Sequence, residues 1–229
     1  MTLRERIVAQ GTVMILILAP CAAHGQQAPA PQPEWFAGGA VGMTVSRSGE
    51  PDGQNPSVLS PAIEGSALQG SLAVGAFVTP RLGFSAELGM PASFDVQQTW
   101  GRDATTWDHA HRDVTLSGLF LVRGGVGRSQ LTGAVGAGSV WSRTTTVARF
   151  RRFGQRTTDQ PFSVFTEARQ VTDLGIVAGA ELSVPLSSRV SLGPQFRAVF
   201  VRRGESDEFQ DRLPSVLYQV GAGLRVRLR

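Results

Sequence analysis

Ser215–Leu228 (SVLYQVGAGLRVRL) divides into two faces when every second residue is taken together. Tyr218, Val220, Ala222, Leu224, Val226 and Leu228 fall on one side, and Gln219, Gly221, Gly223, Arg225 and Arg227 on the other. A period of two is the mark of a strand with one apolar and one polar face. At about 3.3 Å per residue, a dozen tilted residues of this kind cross the hydrocarbon layer of a bilayer. The sequence before it repeats the design seven times.

The first copy is predicted at about Trp35–Val45, with Trp35, Val41, Met43 and Val45 on the apolar side. Leu68–Thr79 and Leu82–Ala92 follow, joined by the tight turn Thr79-Pro80-Arg81. Asp113–Arg123, Gln130–Trp141, Val171–Val184 and Val190–Val201 complete the set, the second of these blurred by the small residues of Ala134–Gly138. Long connections are expected at Ser46–Ala67, Ser93–Arg112, Ser142–Gln170 and Arg202–Pro214, and short ones at the alternate positions. An even strand number with connections alternating long and short is the pattern of outer-membrane barrels, which have short periplasmic turns and longer external loops. The expected fold class is therefore all-β, an eight-stranded antiparallel up-and-down transmembrane barrel.

Composition agrees with that reading. The chain has 229 residues, a formal net charge of +4, 27 glycines and only 17% charged residues, which fits neither a disordered chain nor a bundle of apolar helices. All 22 basic residues are arginine. Residues 1–25 read as a secretory signal: Arg4 and Arg6 open it, Gly11–Ala19 is its apolar core, and Ala23-His24-Gly25 suits cleavage before Gln26. Cys21 then leaves with the signal, and the mature chain holds no thiol. Residues 26–33 form a Pro-rich leader, and residues 34–229 are expected to be the barrel domain.

Trp35–Leu228 as a whole resembles the superfamily of small eight-stranded outer-membrane barrels of the outer membrane protein A, X and W types. The terminal Gln219-x-Gly221-x-x-Leu224-x-Val226 is similar to the assembly signal on the last strand of such barrels, although this chain ends on Leu228-Arg229 where they commonly end on an aromatic residue. The resemblance implies insertion by the barrel assembly machinery, outer-membrane lipid and lipopolysaccharide as surroundings, and a monomer.

Alternation alone does not say which face meets lipid. A secreted lipocalin-like carrier would have the same period with its apolar side lining a cavity. The polar face here is mostly Gly, Ser, Thr and Gln with few charges, better suited to a narrow packed lumen than to water. Charges in such a lumen must pair. A luminal network is expected in which Glu87 and Glu181 bridge Arg123, Arg197, Arg225 and Arg227. Eight strands leave an interior that side chains nearly fill.

Other candidates for chemistry lie in the predicted loops. His109 and His111, within Trp107–Asp113, are two residues apart, as zinc or copper ligands can be, but without a third ligand they make a weak metal site in a solvated external loop. Arg143, Arg149, Arg151, Arg152 and Arg156, interleaved with Phe150 and Phe153, would suggest nucleic acid in a soluble protein. Export excludes that partner, and these arginines are instead candidates for contact with lipopolysaccharide phosphates. No serine sits in a strand–turn–helix elbow, so no catalytic residue is assigned and no cofactor is implied. The expected role is structural or interactive (membrane integrity, adhesion, lipopolysaccharide contact). A narrow solute channel and a lipid-A-modifying enzyme are the alternatives.

Overall fold

Residues that alternate in polarity form strands here because each strand then satisfies two solvents at once, with its backbone polar groups paired to its neighbours. The computed structural model describes residues 32–47, 64–100, 105–152, 155–156, 159–161, 163–203 and 213–228. The predicted signal sequence, nearly all of the leader and most of the first and fourth connections lie outside the described residues. Nine strand segments follow one another: β1 (Glu34–Arg47), β2 (Gly65–Phe77), β3 (Leu82–Pro91), β4 (Phe94–Trp100), β5 (Thr105–Val126), β6 (Ser129–Phe150), β7 (Ser163–Pro185), β8 (Val190–Arg202) and β9 (Val216–Arg227). All pairings are antiparallel between sequence neighbours, except that β1 pairs with β9 and β3 pairs with β5. Those two contacts close an up-and-down ring of eight staves.

Nine segments make eight staves because β3 and β4 are one stave with a break. Gly89 pairs with Thr115 and Phe94 with His111, so Met90–Ser93 (four residues) stands opposite Arg112–Val114 (three). The extra residue is a bulge. Pro91, which has no N–H to give a ladder, sits inside it. The bulge shifts parity: odd-numbered residues such as Glu87 and Gly89 face inward before it, and Phe94 and Val96 after it, opposite His111 and His109.

The outer wall carries a continuous apolar band. Val41 (72% exposed), Leu68 (73%) and Leu174 (72%) lie on it with Ile176, Phe196, Val220 and Leu224, while Glu87 on the opposite face is 7% exposed. This arrangement overturns the lipocalin-like alternative, because so broad an exposed apolar surface requires lipid around it. On β6 the band runs from Leu131 to Trp141, and ten residues at about 3.3 Å with a tilt of about 40° make roughly 25 Å, the height of an outer-membrane apolar belt.

Two of the predicted loops are largely strand. β4 and the first part of β5 occupy much of Ser93–Arg112, and β6 and β7 extend through Phe150 and from Ser163 into what was expected to be a loop at Ser142–Gln170. β5, β6 and β7 have 22, 22 and 23 residues against 12 to 14 in β1, β2, β8 and β9, so one side of the barrel stands above the other. The projecting part has polar residues on both faces, such as Thr144 and Thr146 inside and Arg143 and Thr145 outside, which erases the apolar alternation while leaving β-favouring threonines.

Candidate functional site

The interior is a stack of charged and apolar layers. At the end with the short turns Glu34, the first residue of β1, receives Arg123 through Nη1 and Nη2 at 3.2 and 3.3 Å and lies 3.0 Å from Arg227 Nε. Arg123 also covers the ring of Phe77 at 3.8 Å, and Arg225 covers Phe36 at 4.6 Å. A guanidinium over a ring face is held by the ring quadrupole, so these aromatics anchor the cations as well as fill space.

Two buried pairs span the next level. Arg197 Nε on β8 donates to Glu87 Oε2 on β3 at 3.2 Å, and Arg225 Nη2 on β9 donates to Glu181 Oε2 on β7 at 2.6 Å. Arg197 Nη1 donates to the carbonyl of Phe196 at 3.1 Å, and Ser183 Oγ donates to Glu181 at 2.7 Å. The structure thus brings Glu87 to Arg197 and Glu181 to Arg225, but sends Arg123 and Arg227 to Glu34. Glu34 escaped sequence reasoning because it stands at the junction of leader and first strand, before alternation begins.

Leu119 and Leu121 pack at the level of these pairs, and above them lies an apolar plug of inward side chains, among them Val140, Val177, Val199, Val201 and Leu217, all nearly inaccessible. A second polar cluster seals the top. His111 has no exposed surface; its Nε2 lies 2.9 Å from Asp113 Oδ2 and its Nδ1 lies 2.8 Å from Thr144 Oγ1. Ser142 Oγ donates to Asp113 Oδ1 at 2.5 Å, and Arg203 Nη1 donates to Ser142 at 3.1 Å and to Asp173 Oδ2 at 2.6 Å. Arg203 Nε donates to the Pro214 carbonyl at 2.9 Å, tying the strap before β9 across the mouth. Two cavities lined by luminal residues hold about 60 Å³ at the short-turn mouth and about 30 Å³ beside Glu87 and Arg197, room for a few waters each.

The histidines differ from expectation in place. They are not on a solvated loop: both sit on β5 and face inward, with His109 Nδ1 2.9 Å from Thr146 Oγ1. Both ring nitrogens of His111 have protein partners, and no cluster of three metal-ligating side chains occurs among the described residues. Ser142 bonds to the acid and not to the histidine, so the cluster has the members of a hydrolytic triad without its order.

The five candidate arginines of the predicted third loop do not form one patch. Arg143 and Arg149 are on β6, on the outer wall. Arg149 is paired with Asp108, and Arg151 Nη1 donates to Thr106 Oγ1 at 2.9 Å. Arg152 and Arg156 have their backbone N–H groups held by Gln155 and Asp159, with exposed side chains.

No protein-family model and no curated protein sequence matches the chain. Solved structures do. Neisserial surface protein A is similar over 86% of this chain and 100% of its own, at 12% identity and a TM-score of 0.50. A major outer membrane protein of Thermus thermophilus is similar over 86% and 99%, at 13% identity and a TM-score of 0.55. With its ring order and its outward apolar band, the chain has the fold of the small eight-stranded outer-membrane β-barrels.

Proposed function

We propose that this chain is an integral protein of the bacterial outer membrane, exported by its N-terminal signal, with a closed lumen and a structural or surface-interaction role. The observation that carries the reading is the filling of the interior. Ionic layers at Glu34, at Glu87 and Glu181, and at Asp113 and Asp173 are packed against an apolar plug, and the two luminal cavities beside the lower layers hold only about 60 and 30 Å³. A hydrated ion cannot pass such a column without breaking buried pairs. The luminal charges Glu87, Glu181, Arg123, Arg197, Arg225 and Arg227 serve to neutralise and lock the plug, and the chain works as a monomer without enzymatic chemistry. The projecting sheet of β4–β7 is the surface it presents outside, and Arg143, Arg152 and Arg156, whose guanidinium groups make no ion pair among the described residues, are the members of the arginine run placed to meet lipopolysaccharide.

Single-channel recording of the purified protein in planar bilayers tests the reading. The expected trace is flat at moderate voltage. A steady conductance would replace the structural role with that of a narrow channel.

A further inference from the structure

Arg112 on β5 and Arg143 on β6 are directly opposed in the ladder, and both side chains point out from the barrel wall. Opposed positions bring Cβ atoms to about 5 Å, where like charges repel. Among the described residues no carboxylate pairs with either; Asp113 faces inward to His111 and Ser142, and Asp108 is taken by Arg149. Asp95, across from Ala110, makes no ion pair with either arginine.

Their height is also specific. Val114 and Trp141, the next outward residues toward the periplasm, are paired with each other at the upper limit of the apolar band. Below them Gly118 is paired with Ala137 and Leu116 with Ser139. A side chain added at Gly118 would meet only open space. Gly118, Ala137 and Ser139 therefore form a shallow trough in the outer wall, bordered by Phe120, Trp141 and Ile176 and headed by two uncompensated guanidiniums.

We propose that Arg112 and Arg143 hold the headgroup phosphate of an outer-leaflet lipid, whose acyl chain lies in the trough beneath. This rests on the membrane placement proposed above. Each guanidinium offers parallel N–H groups to phosphate oxygens, and two arms on adjacent staves bracket a tetrahedral anion. The anion removes the repulsion that the ladder otherwise builds in, and the trough selects a lipid over a free phosphate.

The test uses the purified barrel in octyl glucoside micelles, which carry no phosphate, and follows thermal unfolding by gel mobility. Bisphosphorylated lipid A, lipid A stripped of phosphate and inorganic phosphate are added in separate arms. The expected result is stabilisation by the bisphosphorylated lipid alone, with apparent affinity reduced by about tenfold or more in Arg112→Gln/Arg143→Gln. Arg81→Gln/Arg128→Gln, at the other end of the barrel, should bind as the parent does. Should the glutamine pair fail to fold, Arg112→Lys/Arg143→Lys keeps the charge but loses the forked geometry, and is expected to bind several-fold more weakly. Equal stabilisation by the stripped lipid, equal stabilisation by inorganic phosphate, or undiminished binding by the substituted barrel that folds would each overturn the proposal. Conductance bears on the lumen alone, so a channel result would leave this one standing, and failed binding would leave a closed barrel.

Discussion

Removing Glu87 should unlock the middle of the barrel. Its side chain and that of Arg197 are 8% and 6% exposed, and the two join β3 to β8 across the lumen, far apart in sequence. Glu87→Ala leaves a buried guanidinium without its carboxylate, which costs about 3–5 kcal/mol when one partner of a buried pair is deleted. Arg197 keeps its bond to the Phe196 carbonyl, and the cavity of about 30 Å³ beside it can admit water, so the lower end of that range applies. Glu87→Met combined with Arg197→Met removes both charges and should cost well under the sum of the two single changes, with a coupling of about 2–3 kcal/mol. Urea unfolding of barrels reconstituted in phospholipid vesicles, followed by tryptophan fluorescence, measures all four corners of the cycle. The reasoning fails if Glu87→Ala costs less than about 1 kcal/mol, or if the two single effects simply add.

The same titration reads three further substitutions. Val135→Arg, on the lipid face near mid-height, should cost about 2–4 kcal/mol, whereas Thr166→Arg, on the outer face of the projecting sheet, should be nearly neutral, because the penalty follows depth. Gly127 turns the β5–β6 hairpin at a φ of 61°, so Gly127→Ala should cost about 1 kcal/mol and Gly127→Val more. Asp113→Ala takes the partner from His111 Nε2 and the acceptor from the Ser142 hydroxyl, which keep only Thr144 and Arg203, and should cost about 1–3 kcal/mol, with faster amide hydrogen exchange around Ser142 and Arg203 as the local signature.

The sequence speaks clearly wherever lipid is one of the two solvents. Leu174, Ile176 and Leu182 stand out against Asp173, Gly175 and Glu181 because hydrocarbon admits no charge on its side. Where the strands rise into water, both faces turn polar, and Thr144–Thr146 reads as loop although it is strand. The luminal face hides its apolar members for a related reason: Leu119, Leu121, Val177 and Val199 share parity with serines, glycines and two arginines, and only ring closure shows that they meet in the middle. The ion pairs follow geometry rather than period. Glu87 and Glu181 are visible as inward acids, but choosing Arg197 for one and Arg225 for the other requires the stagger of the staves. The Asp113–Ser142–Arg203–Asp173 cluster lies beyond reach because Ser142 and Arg203, which link its two aspartates, fall in stretches that read as loop.

The irregularity at Met90–Ser93 has a bearing on how such a chain can change over time. In a stave, where a residue stands and which solvent it meets are one coordinate, so gaining or losing a single residue would invert everything beyond it. Length can therefore drift in twos along most of this wall. The third stave holds the one described place where an odd residue has been absorbed, and restoring even spacing there would turn Phe94 and Val96 away from Ala67 and Leu213 toward the outside.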